Sequence, residues 1–369
     1  MSPAPSPEPA IFISAGEASG DRHGAAVARA IRAGLPGARL FGIGGREMEA
    51  AGVARLAGLE ALSVMGGAEV LRRLPFLLGL ERRIRRFFAA EGVGLFLPID
   101  YPGLNLRLAR AARRQGRRVL YFIAPQVWAW RQGRARRLAR DCDRVLTVLP
   151  FEADLLEEYG VDAEFVGHPL LDARESARRP PPAAGERVIG LFPGSRAQEV
   201  RFMLPVFAEA ARRLARRHTG LEVRVARPPH LPKTLYEGSG FPTASPEDVL
   251  GQATAAITKS GTITLELALA GIPMVVGYRT TRLEWAIGRR LVRVPSIVLV
   301  NLVTGARVVP ELLQDRLTPG SMASALEPLL EEASPERRAM LRGFAALRDR
   351  LGEPGCAARV AARAIELLA

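Results

Sequence analysis

At 369 residues the chain exceeds one ordinary domain; two domains of about 150–200 residues fit it, and 48% hydrophobic content suffices for two cores. A net charge of +14 points to an anionic partner, but all but two of the 52 basic residues are arginine, a bias that solvated faces alone can carry. No RNA-binding signature or aromatic-interleaved basic run accompanies the charge, so nucleic acid is disfavoured. Cys142 and Cys356 lack ligand-type spacing and read as buried or incidental thiols of a reduced cytosolic protein. The histidines include no metal-type pair, the first ten residues form a Pro/Ser-rich tail rather than a signal peptide, and no apolar run spans a bilayer; the expectation is a soluble or peripheral protein.

In chain order, Ala10–Ser14 reads as a short buried strand running into Ala15-Gly-Glu-Ala-Ser-Gly-Asp21 and a helix to about Arg32. This is a first βα turn, where Rossmann-like domains bind ligands, but it lacks GxGxxG. Glu17, Asp21 and His23 would repel a pyrophosphate more than hold one, and acidic groups at a helix start suit sugar hydroxyls; Gly16, Glu17 and Ser19 are candidate substrate-binding residues of this turn, though Ser19 and Asp21 also read simply as helix caps. Residues 39–45 repeat the strand and glycine turn. Between Leu62 and Ala90, Leu74, Leu77, Leu80, Ile84 and Phe87 recur at helical spacing, and Met65, Phe76, Leu78 and Phe88 exceed what one core face needs. With six arginines interspersed, this helix suits either an anionic membrane interface or an ordinary core-facing position. Residues 94–100 form a strand ending in Asp100, whose carboxylate faces a ligand crevice or caps the helix from Leu104. Trp128 and Trp130, beside Arg131, can line a sugar or acyl site or simply pack.

Residues 171–185, ending in Pro180-Pro-Pro182, read as a linker. Beyond it, Val188–Phe192 is a buried strand stopped by Pro193-Gly194, with Ser195 expected at a helix N-cap and Arg196 next. Free N–H groups, a helix dipole and a guanidinium would there meet phosphate oxygens, although the same turn also reads as purely structural. Glu199 stands one position too late for a capping box on Ser195. Strands are expected at 222–226, 254–259, 271–277 and 295–301, the last ending in Asn301. A hydroxyl-rich helix start spans Ser260, Gly261, Thr262, Thr264 and Glu266, Tyr278 follows the strand at 271–277, and a helix begins at Pro310.

The repeating βα pattern predicts an α/β chain of two doubly wound, Rossmann-like domains facing across a cleft. Their expected bounds are 10–170 and 186–334, with helices over 335–369 packing back on the first domain. The second domain suits a nucleotide diphosphate and the first suits base chemistry on a hydroxyl, a division that describes sugar transfer.

Taken together, these stretches resemble the lipid-A-disaccharide synthase family of GT-B inverting glycosyltransferases, nearly end to end. The combination comprises Ala15–Asp21, Ile99-Asp100-Tyr-Pro-Gly-Leu-Asn105, Pro125-Gln-Val-Trp-Ala-Trp-Arg131, Val166-Gly-His-Pro169, Pro193-Gly-Ser-Arg196, Ser260–Glu266 and Pro310-Glu-Leu-Leu-Gln314. The resemblance implies a UDP-2,3-diacylglucosamine donor, a 2,3-diacylglucosamine 1-phosphate acceptor, no metal and no cofactor, and work on the cytosolic face of the Gram-negative inner membrane. It implies Asp100 as the base, with His23 as second candidate; Glu266 on the ribose; Asn301 on the diphosphate or uracil; and it leaves room for a homodimer. The rivals are another GT-B enzyme acting on UDP-N-acetylglucosamine, a lipid-carrier transferase or an epimerase, and a non-catalytic binding protein on the same scaffold.

Overall fold

The computed structural model describes residues 8–59, 67–128, 133–175, 187–291 and 294–369, which divide into two compact units. The first comprises residues up to 176 together with 351–369, and the second residues 177–350.

The first unit alternates β1 (Ala10–Ala15), α1 (Ala18–Gly34), β2 (Arg39–Gly44), α2 (Arg46–Ala50), β3 (Ala54–Gly58), α3 (Gly67–Ala90), β4 (Val93–Ile99), α4 (Pro102–Arg114), β5 (Arg118–Phe122), α5 (Gly133–Asp141), β6 (Arg144–Thr147), α6 (Pro150–Glu157), β7 (Ala163–Phe165) and α7 (Pro169–Glu175). All seven strands are parallel in the order β3-β2-β1-β4-β5-β6-β7. Strands buried on both faces read as continuous apolar runs, as in Ile11-Phe-Ile and Leu95-Phe-Leu.

The second unit holds β8 (Arg187–Phe192), α8 (Ala197–Arg217), β9 (Leu221–Ala226), β10 (Thr243–Ala244), α9 (Pro246–Gln252), β11 (Ala255–Lys259), α10 (Ile263–Leu269), β12 (Met274–Tyr278), α11 (Arg282–Leu291), α12 (Leu299–Thr304), β13 (Glu311–Leu313), α13 (Pro319–Leu326) and α14 (Pro335–Arg350). Its parallel sheet runs β10-β9-β8-β11-β12-β13. In each sheet the order in which strands are added therefore reverses once, between β1 and β4 and between β8 and β11. In open α/β sheets such a switch point is where ligands bind, beyond the carboxyl ends of the strands.

α15 (Cys356–Glu366) belongs to the first unit, packing on α1 and α7. The Asp172 carboxylate accepts from Gly355, Cys356 and Ala357 N–H at 2.6, 3.2 and 3.1 Å, capping the start of α15. Arg363 closes a two-pronged pair on Glu164 at 2.8 and 2.9 Å.

Four expectations change. α14 packs on α10 and α12 in the second unit, so the two final helices part company rather than both returning to the first. Residues 171–175 of the expected linker continue α7, while 176–186 lie outside the described residues. The run expected as a strand at 295–301 instead leads into α12, because the Glu311 carboxylate accepts from the Ser296 hydroxyl and from Ile297 N–H at 3.1 Å and bends the segment. Residues 311–313, expected to open a helix, are the edge strand β13, since partners in β12 outweigh local propensity.

Candidate active site

In the first unit the β1 and β4 ends are tied by one side chain. Ser14 Oγ donates to Asn105 Oδ1 at 2.7 Å, and Asn105 Nδ2 donates to the carbonyls of Ser14, Ile99 and Asp100 at 3.3, 3.2 and 2.7 Å. The Tyr121 hydroxyl also donates to the Asp100 carbonyl, at 2.8 Å. These bonds hold Asp100 and Tyr101 at φ 45° and 47°, a left-handed conformation that non-glycine residues adopt at some cost.

Burial and the Glu17 carboxylate raise the Asp100 pKa from 3.8 to about 6, against the pull of the Tyr101 N–H and Arg134. The same two causes raise Tyr101. Burial and Arg22 lower His23 to about 4, against Asp172. Its ring stands edge-on to Phe122, 6.5 Å between centroids, and it in turn helps hold His168 at about 3, where burial is the larger cause. Near pH 7, therefore, His23 is neutral and a poor proton acceptor, whereas Asp100 is ionised and more basic than an ordinary carboxylate. Of the two, Asp100 is the better proton acceptor at that pH.

Gly16 is buried beneath the Tyr101 ring; Glu17 and Ser19 are exposed at the start of α1. Asp21 does not cap its own helix: its carboxylate accepts from Gly45, Glu47 and Met48 N–H at 2.6, 3.1 and 3.2 Å, fixing α2. Trp128 donates its indole N–H to the buried Glu152 at 2.9 Å, while Trp130 and Arg131 lie outside the described residues. In α3, Leu80, Ile84 and Phe88 are core, against the expectation that Phe88 is surplus; burial on Phe12 and Phe96 claims it. Phe76 and Leu78 are 49% and 36% exposed, beside exposed Arg82, Arg83, Arg85 and Arg86; Met65 is not among the described residues.

In the second unit the turn after β8 differs from expectation in a way that matters. α8 begins one residue later than Ser195 implies, with Arg196 at the N-cap, which puts Glu199 at the third helical position. Its Oε2 accepts from Ser195 N–H at 3.0 Å and Arg196 N–H at 3.3 Å, so these amides are engaged rather than free. Its Oε1 meets Lys259 Nζ, at the end of β11, at 2.9 Å. His230, from the proline-rich loop, donates Nε2–H to the Ser195 carbonyl at 2.9 Å, a contact no local sequence signal announces. Arg196 itself is exposed beside this turn, and its charge and that of Glu199 both act on Tyr278.

The hydroxyl-rich segment is partly structural. Ser260 Oγ donates to the Ile297 carbonyl at 2.5 Å, and buried Thr264 donates to the Gly261 carbonyl at 2.8 Å. Thr262 is exposed and Glu266 half-buried at the start of α10. Asn301 is the clearest correction. It is 4% exposed, donates to the Val309 carbonyl and Glu311 at 2.9 and 2.7 Å, and accepts from Val309 N–H at 2.9 Å. Its amide organises the fold and is not presented to a diphosphate or uracil. A cavity of about 720 Å³ opens beside β13, near Gln314, Arg316 and Met340, but none of the expected donor-binding residues lines it.

Among the described residues there is no cluster of three metal-ligating side chains, and no helix is long and apolar enough to cross a membrane.

The two doubly wound sheets define the GT-B fold of nucleotide-sugar enzymes. Solved structures agree: the kitacinnamycin glycosyltransferase matches at TM-score 0.64 and 17% identity over 99% of this chain and 100% of its own. A Staphylococcus aureus MnaA–UDP co-structure matches at 0.66 and 11%, over 95% and 94%. Within that fold the chain belongs to the lipid-A-disaccharide synthetase family, whose profile matches residues 11–359. It is 39% identical to the lipid-A-disaccharide synthase of Geobacter sulfurreducens over 97% of both chains, and 39% identical to that of Myxococcus xanthus over 98% of both.

Proposed function

We propose that this protein transfers the 2,3-diacylglucosaminyl group of UDP-2,3-diacylglucosamine to the 6-hydroxyl of 2,3-diacylglucosamine 1-phosphate. The products are the β-1,6-linked tetraacyl disaccharide 1-phosphate and UDP. Beside family membership, the observation that carries this reading is Asp100, held at the β1/β4 switch point with a raised pKa. In the reaction, Asp100 takes the proton of the acceptor hydroxyl as its oxygen attacks the anomeric carbon, inverting it, and the C–O bond to UDP breaks. His23 orients the donor phosphate, and Ser19 contacts substrate from the start of α1. Arg196 meets the charge that develops on departing UDP, a contribution of about 3 kcal/mol for one such donor. Thr262 and Glu266, at the start of α10, take the ribose hydroxyls.

Phe76 and Leu78, exposed among arginines on α3, support contact with an anionic membrane surface, from which diacylated substrates would be drawn. The reading is of a peripheral protein on the cytosolic face of the inner membrane.

The test is transfer between the two named substrates by purified protein with a chelator present. Disaccharide 1-phosphate and UDP in equal amounts are expected. Absence of product, with conversion of UDP-N-acetylglucosamine alone, would replace the reading with an epimerase; a UDP-binding protein that turns over neither would point to a different acceptor.

A further inference from the structure

Glu199 poses an electrostatic problem. A carboxylate fills the first turn of α8, the place where the sequence invites phosphate, and any diphosphate reaching Arg196 arrives beside that negative charge. Lys259 resolves it. The ammonium comes from β11, next to β8 across the switch point, and meets the carboxylate at 2.9 Å with both side chains mostly buried, 18% and 16% exposed. Two glycines make room for the pair. A Cβ on Gly194, whose φ is +132°, would stand 2.6 Å from Glu199 Cβ, and one on Gly261 would stand 3.3 Å from Lys259 Cε. In a chain that uses arginine nearly everywhere, one of its two lysines sits here. An ammonium is a compact point charge on a slim stem, unlike the planar guanidinium the chain uses elsewhere.

We propose that Lys259 is a positioning residue for the donor diphosphate: paired with Glu199, it screens the carboxylate so that Ser195 and Arg196 stay braced by it while phosphates can approach. This rests on the reading that the second unit takes a UDP-linked donor. Glu199 thus holds the turn's shape, Lys259 cancels its charge, and Arg196 remains for the ligand.

Calorimetric titration with UDP, and with UMP as the less charged control, tests this on the full chain. Lys259→Ala should weaken UDP binding at least about tenfold and UMP binding less, since repulsion scales with ligand charge. Adding Glu199→Gln, which keeps an acceptor for the two N–H groups but removes the charge, should restore UDP affinity to within about threefold of the parent. Unchanged UDP affinity in Lys259→Ala overturns the proposal, as does a double variant that stays weak while unfolding at the parent's temperature. If Lys259→Ala does not fold, the double variant, which buries no unpaired charge, decides alone on the same criterion. A parent protein that binds no UDP would instead overturn the donor reading.

Discussion

The ring of Tyr101 lies directly over the Cα of Gly16, so that a methyl group at residue 16 would overlap its Cγ, Cδ1 and Cδ2. The end of β1 and the strained segment after β4 are therefore in contact across the switch point, and glycine at 16 is what lets them meet. Gly16→Ala should displace Tyr101 and with it the neighbouring Asp100. The expected result is a loss of turnover on the order of 100-fold with a stability cost of about 1–3 kcal/mol. Steady-state kinetics and thermal unfolding measure the two; an active variant would show that Tyr101 can move without consequence.

Asp100→Asn should abolish the base, costing about 100- to 10,000-fold in turnover, while leaving UDP affinity intact. Loss of both would remove Asp100 from the role of base.

The same substitution should stabilise the protein. Burial and the Glu17 carboxylate push Asp100 up from 3.8 to about 6 on folding, so the folded state holds its proton more tightly. Its contribution is fully present below pH 3.8 and is lost as pH rises through about 6. By neutral pH that loss amounts to as much as about 3 kcal/mol, which the uncharged amide avoids. Melting curves of parent and Asp100→Asn should therefore separate above pH 6 and converge below pH 4, while the parent's rate rises with pH through about 6. Melting temperatures that coincide at all pH values would show that Asp100 carries no raised pKa.

Arg196→Ala should raise the donor KM and depress kcat, lowering kcat/KM by roughly 100-fold, in line with removal of one charge-stabilising donor. A normal rate refutes the assignment.

Phe76→Ser with Leu78→Ser should release the protein from vesicles containing anionic lipid without altering its melting temperature, because neither side chain belongs to the core. Unchanged co-sedimentation would contradict the membrane reading.

The two sheets were largely legible because parallel strands buried on both faces leave continuous apolar runs, as at Ile11–Ile13, Val188–Leu191 and Ala255–Ile257. Asp100 was legible for a related reason: an acid at the end of such a run is conspicuous. What stayed hidden depends on partners distant in sequence. The role of Asn301 turns on Val309 and Glu311, that of Asn105 on Ser14 91 residues earlier, and the occupied state of the Ser195 and Arg196 amides on a one-residue shift in where α8 begins. The run at 295–301 carries strand propensity in its β-branched residues, but Glu311 and the packing of α12 on α14 override it.

The first unit is built from two separated stretches of chain, joined where Asp172 caps α15 and Arg363 grips Glu164. During synthesis this inverts the order of completion. Residues 177–350 form an uninterrupted unit and can close as soon as they emerge, whereas α1 keeps an uncovered apolar flank until residues 356–366 have been made. The half that carries Asp100 is thus begun first and finished last, and a released chain truncated shortly before residue 356 would hold a complete second unit and an incomplete first one.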